Sequence, residues 1–204
     1  MNYNEDRMKL VMNGALGRMG QRILALASED PGIEIYAAVD HKSDCFGHDV
    51  GEIIGIGTLG VQLTDDLSQA VTNADVVIDF TWPDAILKTA EICSLEKIPL
   101  VIGTTGLERE QLDNFKQLIS SIPCVMAPNM SIGVNLLFKL AGEVASILGE
   151  DYDVEIIETH HRFKKDAPSG TANHLAEIIA NVLGRNIDEH AIYGRHGITG
   201  ERTR

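Results

Sequence analysis

Paired cysteines, a basic face, a leader-like N-terminus and long apolar runs are all missing from this sequence. Each absence excludes something. Cys45, Cys93 and Cys124 form an odd, widely spaced set with no C-x-x-C pair, which argues against a disulfide framework and against a zinc site. Lys and Arg number 17 against 30 Asp and Glu, a net charge of −13. That balance disfavours nucleic acid and anionic membranes, which both need a basic surface. It leaves room for a small anionic ligand, since a local basic pocket can sit inside an acidic protein. Residues 1–7 are polar and lack the basic-then-apolar layout of a signal peptide. No uninterrupted apolar run approaches the ~20 residues of a membrane span. The expectation is a soluble, cytoplasmic protein.

With 204 residues and 44% hydrophobic content, the chain can bury a sizeable core, as one domain with a smaller companion. The first two-thirds alternate short β-type runs at 8–12, 33–39, 76–80, 99–102 and 124–127 with helical patterns at 19–27, 84–95 and 108–120. Such alternation predicts βαβ units on a parallel sheet, an α/β class of Rossmann type. Parallel sheets bury both faces, which accounts for the unbroken apolar run Val76-Val77-Ile78. The glycine-rich segment 45–66 breaks the rhythm and reads as a long irregular loop ending near a short strand. Past Pro128, the residues Ile132, Leu136, Leu137, Leu140, Val144, Ile147 and Leu148 keep helical spacing, with Gly149 placed as a C-cap. A buried strand at 153–159, a polar loop and a helix near 171–183 follow, so a smaller α+β domain is expected at 130–204 after a first domain at 1–129.

The first strand runs directly into Gly14-Ala15-Leu16-Gly17-Arg18-Met19-Gly20. Glycines in a strand-to-helix turn let a pyrophosphate approach the backbone, and the helix start adds free N–H groups and a positive dipole end. The spacing is G-x-x-G-x-x-G, so a tight turn without a ligand stays open as an alternative. Asp40, at the end of the second strand and 20 residues beyond Gly20, has the place of an acid that binds adenosine ribose hydroxyls. A strand-end cap is its other reading. His41 beside it can tolerate a 2′-phosphate, so NADH, NADPH or both are open as cofactor. Gly103-Thr104-Thr105-Gly106 ends a further strand and is either part of the cofactor edge or a plain turn.

In an otherwise acidic chain, His160, His161, Arg162, Lys164 and Lys165 lie close together, just before Ser169-Gly170-Thr171 at a helix start. Hydroxyls and N–H groups at a helix N-terminus beside cations make an anion site with a candidate general acid. On a strand the two adjacent histidines point to opposite sides, so at most one faces the reacting atom. No carboxylate or cysteine stands at ligand spacing to them, and no metal site is expected.

Five segments in order resemble the dihydrodipicolinate reductase family: 14–20, 78–81 (Ile-Asp-Phe-Thr), 101–106, 127–135 (Ala-Pro-Asn-Met-Ser-Ile-Gly-Val-Asn) and 158–172 (Glu-Thr-His-His-Arg-Phe-Lys-Lys-Asp-Ala-Pro-Ser-Gly-Thr-Ala). The last block is the specific one. The resemblance implies reduction of 4-hydroxy-tetrahydrodipicolinate by hydride from NADH or NADPH, in lysine and diaminopimelate synthesis. It implies that Gly14, Gly17, Arg18, Met19, Gly20 and Asp40 bind the cofactor's adenosine and pyrophosphate portions. Gly103, Thr104, Thr105, Ala127, Asn129 and Met130 line the nicotinamide side on the same grounds. By the same resemblance, His160 and Lys164 would carry acid–base chemistry, and His161, Lys164, Ser169, Gly170 and Thr171 would hold the dicarboxylate. Family members run some tens of residues past Gly200 and assemble as homotetramers through strands that follow. The expectation is therefore a second domain incomplete at its C-terminus, with a dinucleotide-binding fragment or regulatory module lacking turnover as the alternative.

Overall fold

The computed structural model describes residues 7–41, 44–165 and 167–201. The chain divides into two compact units, Met1–Ala127 and Pro128–Arg204. The first begins with β1 (Met8–Asn13), α1 (Arg18–Glu29), β2 (Ile33–Val39), α2 (Val50–Ile54), β3 (Leu63–Thr64) and α3 (Leu67–Ala70). It continues with β4 (Val76–Asp79), α4 (Pro83–Glu96), β5 (Leu100–Ile102), α5 (Arg109–Leu118) and β6 (Cys124–Met126). All strands pair in parallel, in the order β3-β2-β1-β4-β5-β6. The order reverses between β1 and β4, which opens a crevice at their carboxyl ends.

Both faces of this sheet are covered, and the sequence shows how. Successive strand residues point to opposite faces, so Val11 joins one buried cluster and Met12 the other. The first cluster gathers Val77, Ile86, Leu100, Ile102 and Phe115; the second gathers Ala15, Leu24, Ala38, Val50 and Leu63. Cys93 lies inside the first, where burial and then the charge of Asp79 push its thiol pKa up to about 12. That keeps it protonated and unreactive.

The segment expected as an irregular loop is ordered by one side chain. Asp49 caps α2 by accepting the N–H groups of Gly51 and Glu52, then reaches across to those of Leu59, Gly60 and Val61. These donors hold its carboxyl below the usual carboxylate range, the Leu59 N–H most of all. The chain then enters β3.

The second unit holds α6 (Ile132–Leu148), α7 (Gly170–Val182) and α8 (Ile187–His190). The face that α6 buries carries Phe138, Gly142 and Ala145, and a Cβ on Gly142 would lie 3.1 Å from Ile178 of α7. Its larger apolar residues lie elsewhere: Ile132 and Ile147 are 87% and 82% exposed. Ile132–Asp151 is long and apolar enough to cross a membrane by length and composition, although Lys139 and Glu143 interrupt it. The buried strand expected at 153–159 is not found. The segment is exposed, with Ile157 at 88%, and no strand pairs with it among the described residues. Alternating β-type residues make a strand only where a neighbour takes their N–H and C=O groups.

Candidate active site

At the crevice between β1 and β4 the backbone leaves no room for side chains. Gly14 has φ +83°, and a Cβ there would sit 2.7 Å from the carbonyl oxygen of Phe80. A Cβ on Gly20 would lie 2.1 Å from the Gly14 oxygen, so the first turn of α1 packs directly on the loop. Gly17 is the N-cap residue of α1 and supplies no side-chain hydrogen bond, which leaves the first-turn N–H groups for solvent or a ligand. Arg18 and Met19 are exposed beside them.

Asp40 stands next to this turn. Its Oδ2 accepts the Leu16 N–H at 2.9 Å, and its Oδ1 accepts the His41 N–H at 2.8 Å and faces His41 Nδ1 at 3.1 Å. One carboxylate thus ties the end of β2 to the glycine turn, a structural task in addition to the ribose contact expected of it. His41 packs edge-on against Trp82, the chain's single tryptophan, with ring centroids 4.2 Å apart. At the end of β5, a Cβ on Gly103 would collide with the Phe80 ring at 2.0 Å; Thr104 is buried and Thr105 exposed. Ala127 closes the first unit, half-buried.

Asn129 and Met130 belong to the second unit, where the Asn129 amide donates to the Thr171 hydroxyl at 3.2 Å. Nearby, α7 starts at an ordered cap: Ser169, 6% exposed, accepts the Ala172 N–H through its hydroxyl at 3.1 Å. Glu158 Oε1 accepts the Ser169 N–H at 2.8 Å, and Oε2 meets His160 Nε2 at 2.8 Å. The Ser169 hydroxyl, then His160, then the Ser169 N–H push the Glu158 carboxyl down to about 2. The start of α7 therefore already stabilises a carboxylate, that of Glu158.

Glu158 is the participant that the sequence reading left out. The signal was available: residues two apart on an extended segment share a side, which pairs Glu158 with His160 and turns His161 away. His161 Nδ1 instead accepts the Phe163 N–H at 3.1 Å, and the Lys164 N–H donates to the His161 carbonyl at 3.1 Å, closing a tight turn. Gly170 is exposed and Thr171 half-buried in the first turn of α7. The second unit also has a cavity of about 1000 Å³, lined in part by Glu155, Glu158, Pro168, Asn173, Arg185 and Arg195.

Residues 8–130 match the family model described as Dihydrodipicolinate reductase, N-terminus, and residues 133–204 the one described as Dihydrodipicolinate reductase, C-terminus. The chain is 44% identical over 198 residues to 4-hydroxy-tetrahydrodipicolinate reductase of Syntrophus aciditrophicus, covering 97% of this chain and 74% of that one. It is 48% identical over 197 residues to the protein of the same name from Geobacter sulfurreducens, covering 96% and 74%. Among solved structures it is similar to dipicolinate-bound dihydrodipicolinate reductase from Paenisporosarcina sp. TG-14, with TM-score 0.70, 30% identity, and coverage of 97% and 72%. Its likeness to myo-inositol 2-dehydrogenase from Lactobacillus plantarum, at 14% identity and TM-score 0.52, is one of fold alone.

Proposed function

The chain belongs to the dihydrodipicolinate reductase family, and on that premise we propose that it reduces 4-hydroxy-tetrahydrodipicolinate to tetrahydrodipicolinate with NAD(P)H. The cofactor fits the residues present. The lack of a Cβ on Gly14 and Gly20 lets the turn pack against the Phe80 carbonyl and the first turn of α1 pack on the loop, and the uncapped start of α1 offers a pyrophosphate N–H groups and a positive dipole end. Gly14, Gly17, Arg18, Met19 and Gly20 would hold the pyrophosphate portion, with Asp40 on the adenosine ribose. Gly103, Thr104, Thr105, Ala127, Asn129 and Met130 would line the nicotinamide side. Bound NAD(P)H supplies the hydride; the protein supplies position and protons.

His161, Lys164, Ser169, Gly170 and Thr171 hold the two substrate carboxylates in this reading, and His160 with Lys164 delivers the proton. The observation that supports it is the Glu158 carboxylate lodged between His160 and the start of α7, an anion already held at that helix end. N–H groups and a serine hydroxyl fixed by the fold orient an anion without rearrangement as charge shifts. Glu158 also keeps His160 from rotating freely, and a placed imidazole is what proton delivery requires.

The same reading includes a homotetramer built through the second unit and a cytoplasmic location. The exposed Ile132, Leu136, Leu137, Leu140, Val144 and Ile147 support assembly through that unit. The test of function is loss of NADH absorbance when 4-hydroxy-tetrahydrodipicolinate is supplied to the purified chain. Substrate-dependent loss supports the reductase. NADH binding without it would instead support a dinucleotide-binding module lacking turnover.

A further inference from the structure

Asp79 ends β4 with its carboxylate fully buried. Burial of an ionised carboxylate is tolerated only where donors replace the water it loses. Here the Asn13 amide and the Thr89 hydroxyl each lie 2.8 Å from Oδ2, while the Thr81 N–H and hydroxyl lie 2.9 and 2.7 Å from Oδ1. These four donors are neutral and come from β1, α4 and the loop after β4; the Thr104 hydroxyl beyond β5 stands farther off, 3.5 Å from Oδ1. A ring of donors selects a side chain that only accepts. A carboxylate can take all of them, whereas an amide at the same place turns an NH2 toward one pair.

The loop held in this way, Phe80 and Thr81, occupies a particular place. The Phe80 carbonyl abuts Gly14, and the Phe80 ring covers Gly103, at distances that exclude a Cβ on either glycine. Residues 80 and 81 therefore form a wedge between the glycine turn and the end of β5, at the point where the strand order reverses. Open α/β sheets take their ligands at that point.

We propose that Asp79 is a positioning residue for the dinucleotide. By anchoring the Phe80–Thr81 wedge from beneath, it sets the separation of the two loops that hold the two halves of NAD(P)H. It is buried and touches no ligand itself. The inference rests on the reading of the first unit as the NAD(P)H site, and it concerns the whole dinucleotide more than the adenosine end, which Asp40 and the glycine turn hold directly.

The test is calorimetric titration of the full chain, as Asp79→Asn and as Thr81→Val, with NADH and separately with AMP. Thr81→Val keeps the bulk of the loop and removes one hydroxyl donor, so it remains informative if Asp79→Asn does not fold. Weakening of NADH binding by about tenfold in Asp79→Asn and about threefold in Thr81→Val is expected, from the size of hydrogen bonds to charged and partly exposed groups. AMP affinity is expected to stay within about twofold, since only the span between the two halves has changed. Unchanged NADH affinity in folded Asp79→Asn, or in Thr81→Val if the first variant is unfolded, overturns the proposal. Parallel loss of NADH and AMP overturns it too, because that pattern belongs to a merely structural residue. Failure of the wild-type chain to bind NADH at all overturns the underlying reading, and the inference with it.

Discussion

The two units treat their apolar residues in opposite ways. In the first, strands and helices bury Val11, Met12, Leu24, Ile86, Ile102 and Phe115 almost completely on the two faces of one sheet. In the second, the buried face of α6 carries Phe138, Gly142 and Ala145, while Ile132, Leu136 and Ile147 stay exposed. The polar groups differ just as much. Asp79 is buried among neutral donors that join β1, β4 and α4; Glu158 is held near the surface by His160 and the start of α7. The first unit thus offers a ligand a rigid backbone edge over a closed core. The second gathers charge on an extended segment that side-chain hydrogen bonds shape. The proposed function places stability mainly in the first and chemistry in the second, and that division can be attacked directly.

The largest expected effect is on stability. Phe115→Ala, in the core of the first unit, is expected to cost about 3–5 kcal/mol in denaturant unfolding. Ile147→Ala, on the exposed face of α6, is expected to cost no more than about 0.5 kcal/mol. A comparable cost at Ile147 in the monomeric chain would mean that this face is covered within the chain itself, and the contrast between the units would fail. Next comes turnover. His160→Ala and Lys164→Ala are each expected to lower kcat by about 10²-fold, the usual contribution of a positioned acid or base, with NADH affinity little changed. Equal losses in turnover and NADH binding would make both residues structural.

A smaller effect concerns the choice of cofactor. Asp40→Asn keeps an oxygen for the Leu16 N–H but removes the negative charge that repels a 2′-phosphate. Competitive binding is expected to shift by about tenfold toward NADPH over NADH. A shift in the other direction would remove Asp40 from the ribose. The smallest effect is on acid stability. Glu158 titrates near 2 in the folded chain, well below its ordinary 4.5, so the folded state holds fewer protons at this carboxyl than the unfolded state. Its contribution is full above about 4.5 and fades as the pH falls toward 2. The stability difference between wild type and Glu158→Gln should therefore shrink over that interval. A constant difference would show that charge is not what holds Glu158.

Much of this division is legible in the residues, for reasons that differ along the chain. Apolar runs such as Val76-Val77-Ile78, set between turn signals, point to parallel strands because a strand buried on both faces has no polar side to alternate with. The glycine turn and Asp40 are legible because their spacing follows from the geometry of one βαβ unit. What lies hidden depends on distance in space. Asp49 organises its loop through N–H groups ten or more residues away, and Asp79 meets Asn13 across 66 residues; neither partner can be named from local pattern. The segment 153–159 misled for the converse reason: its pattern is that of a strand, but strand formation depends on a neighbour as much as on its own residues. Helical spacing found α6, yet which of its faces is buried is decided by the small Gly142 against α7, not by the largest side chains.

The most direct measurement is substrate-dependent NADH oxidation by the wild-type chain and by Lys164→Ala, each paired with its NADH affinity. We expect wild type to consume NADH only when 4-hydroxy-tetrahydrodipicolinate is present, and Lys164→Ala to bind NADH normally while consuming it about 10²-fold more slowly. Binding of NADH by wild type with no oxidation, or equal rates in the two proteins, would contradict the assignment of cofactor binding to the first unit and chemistry to the second.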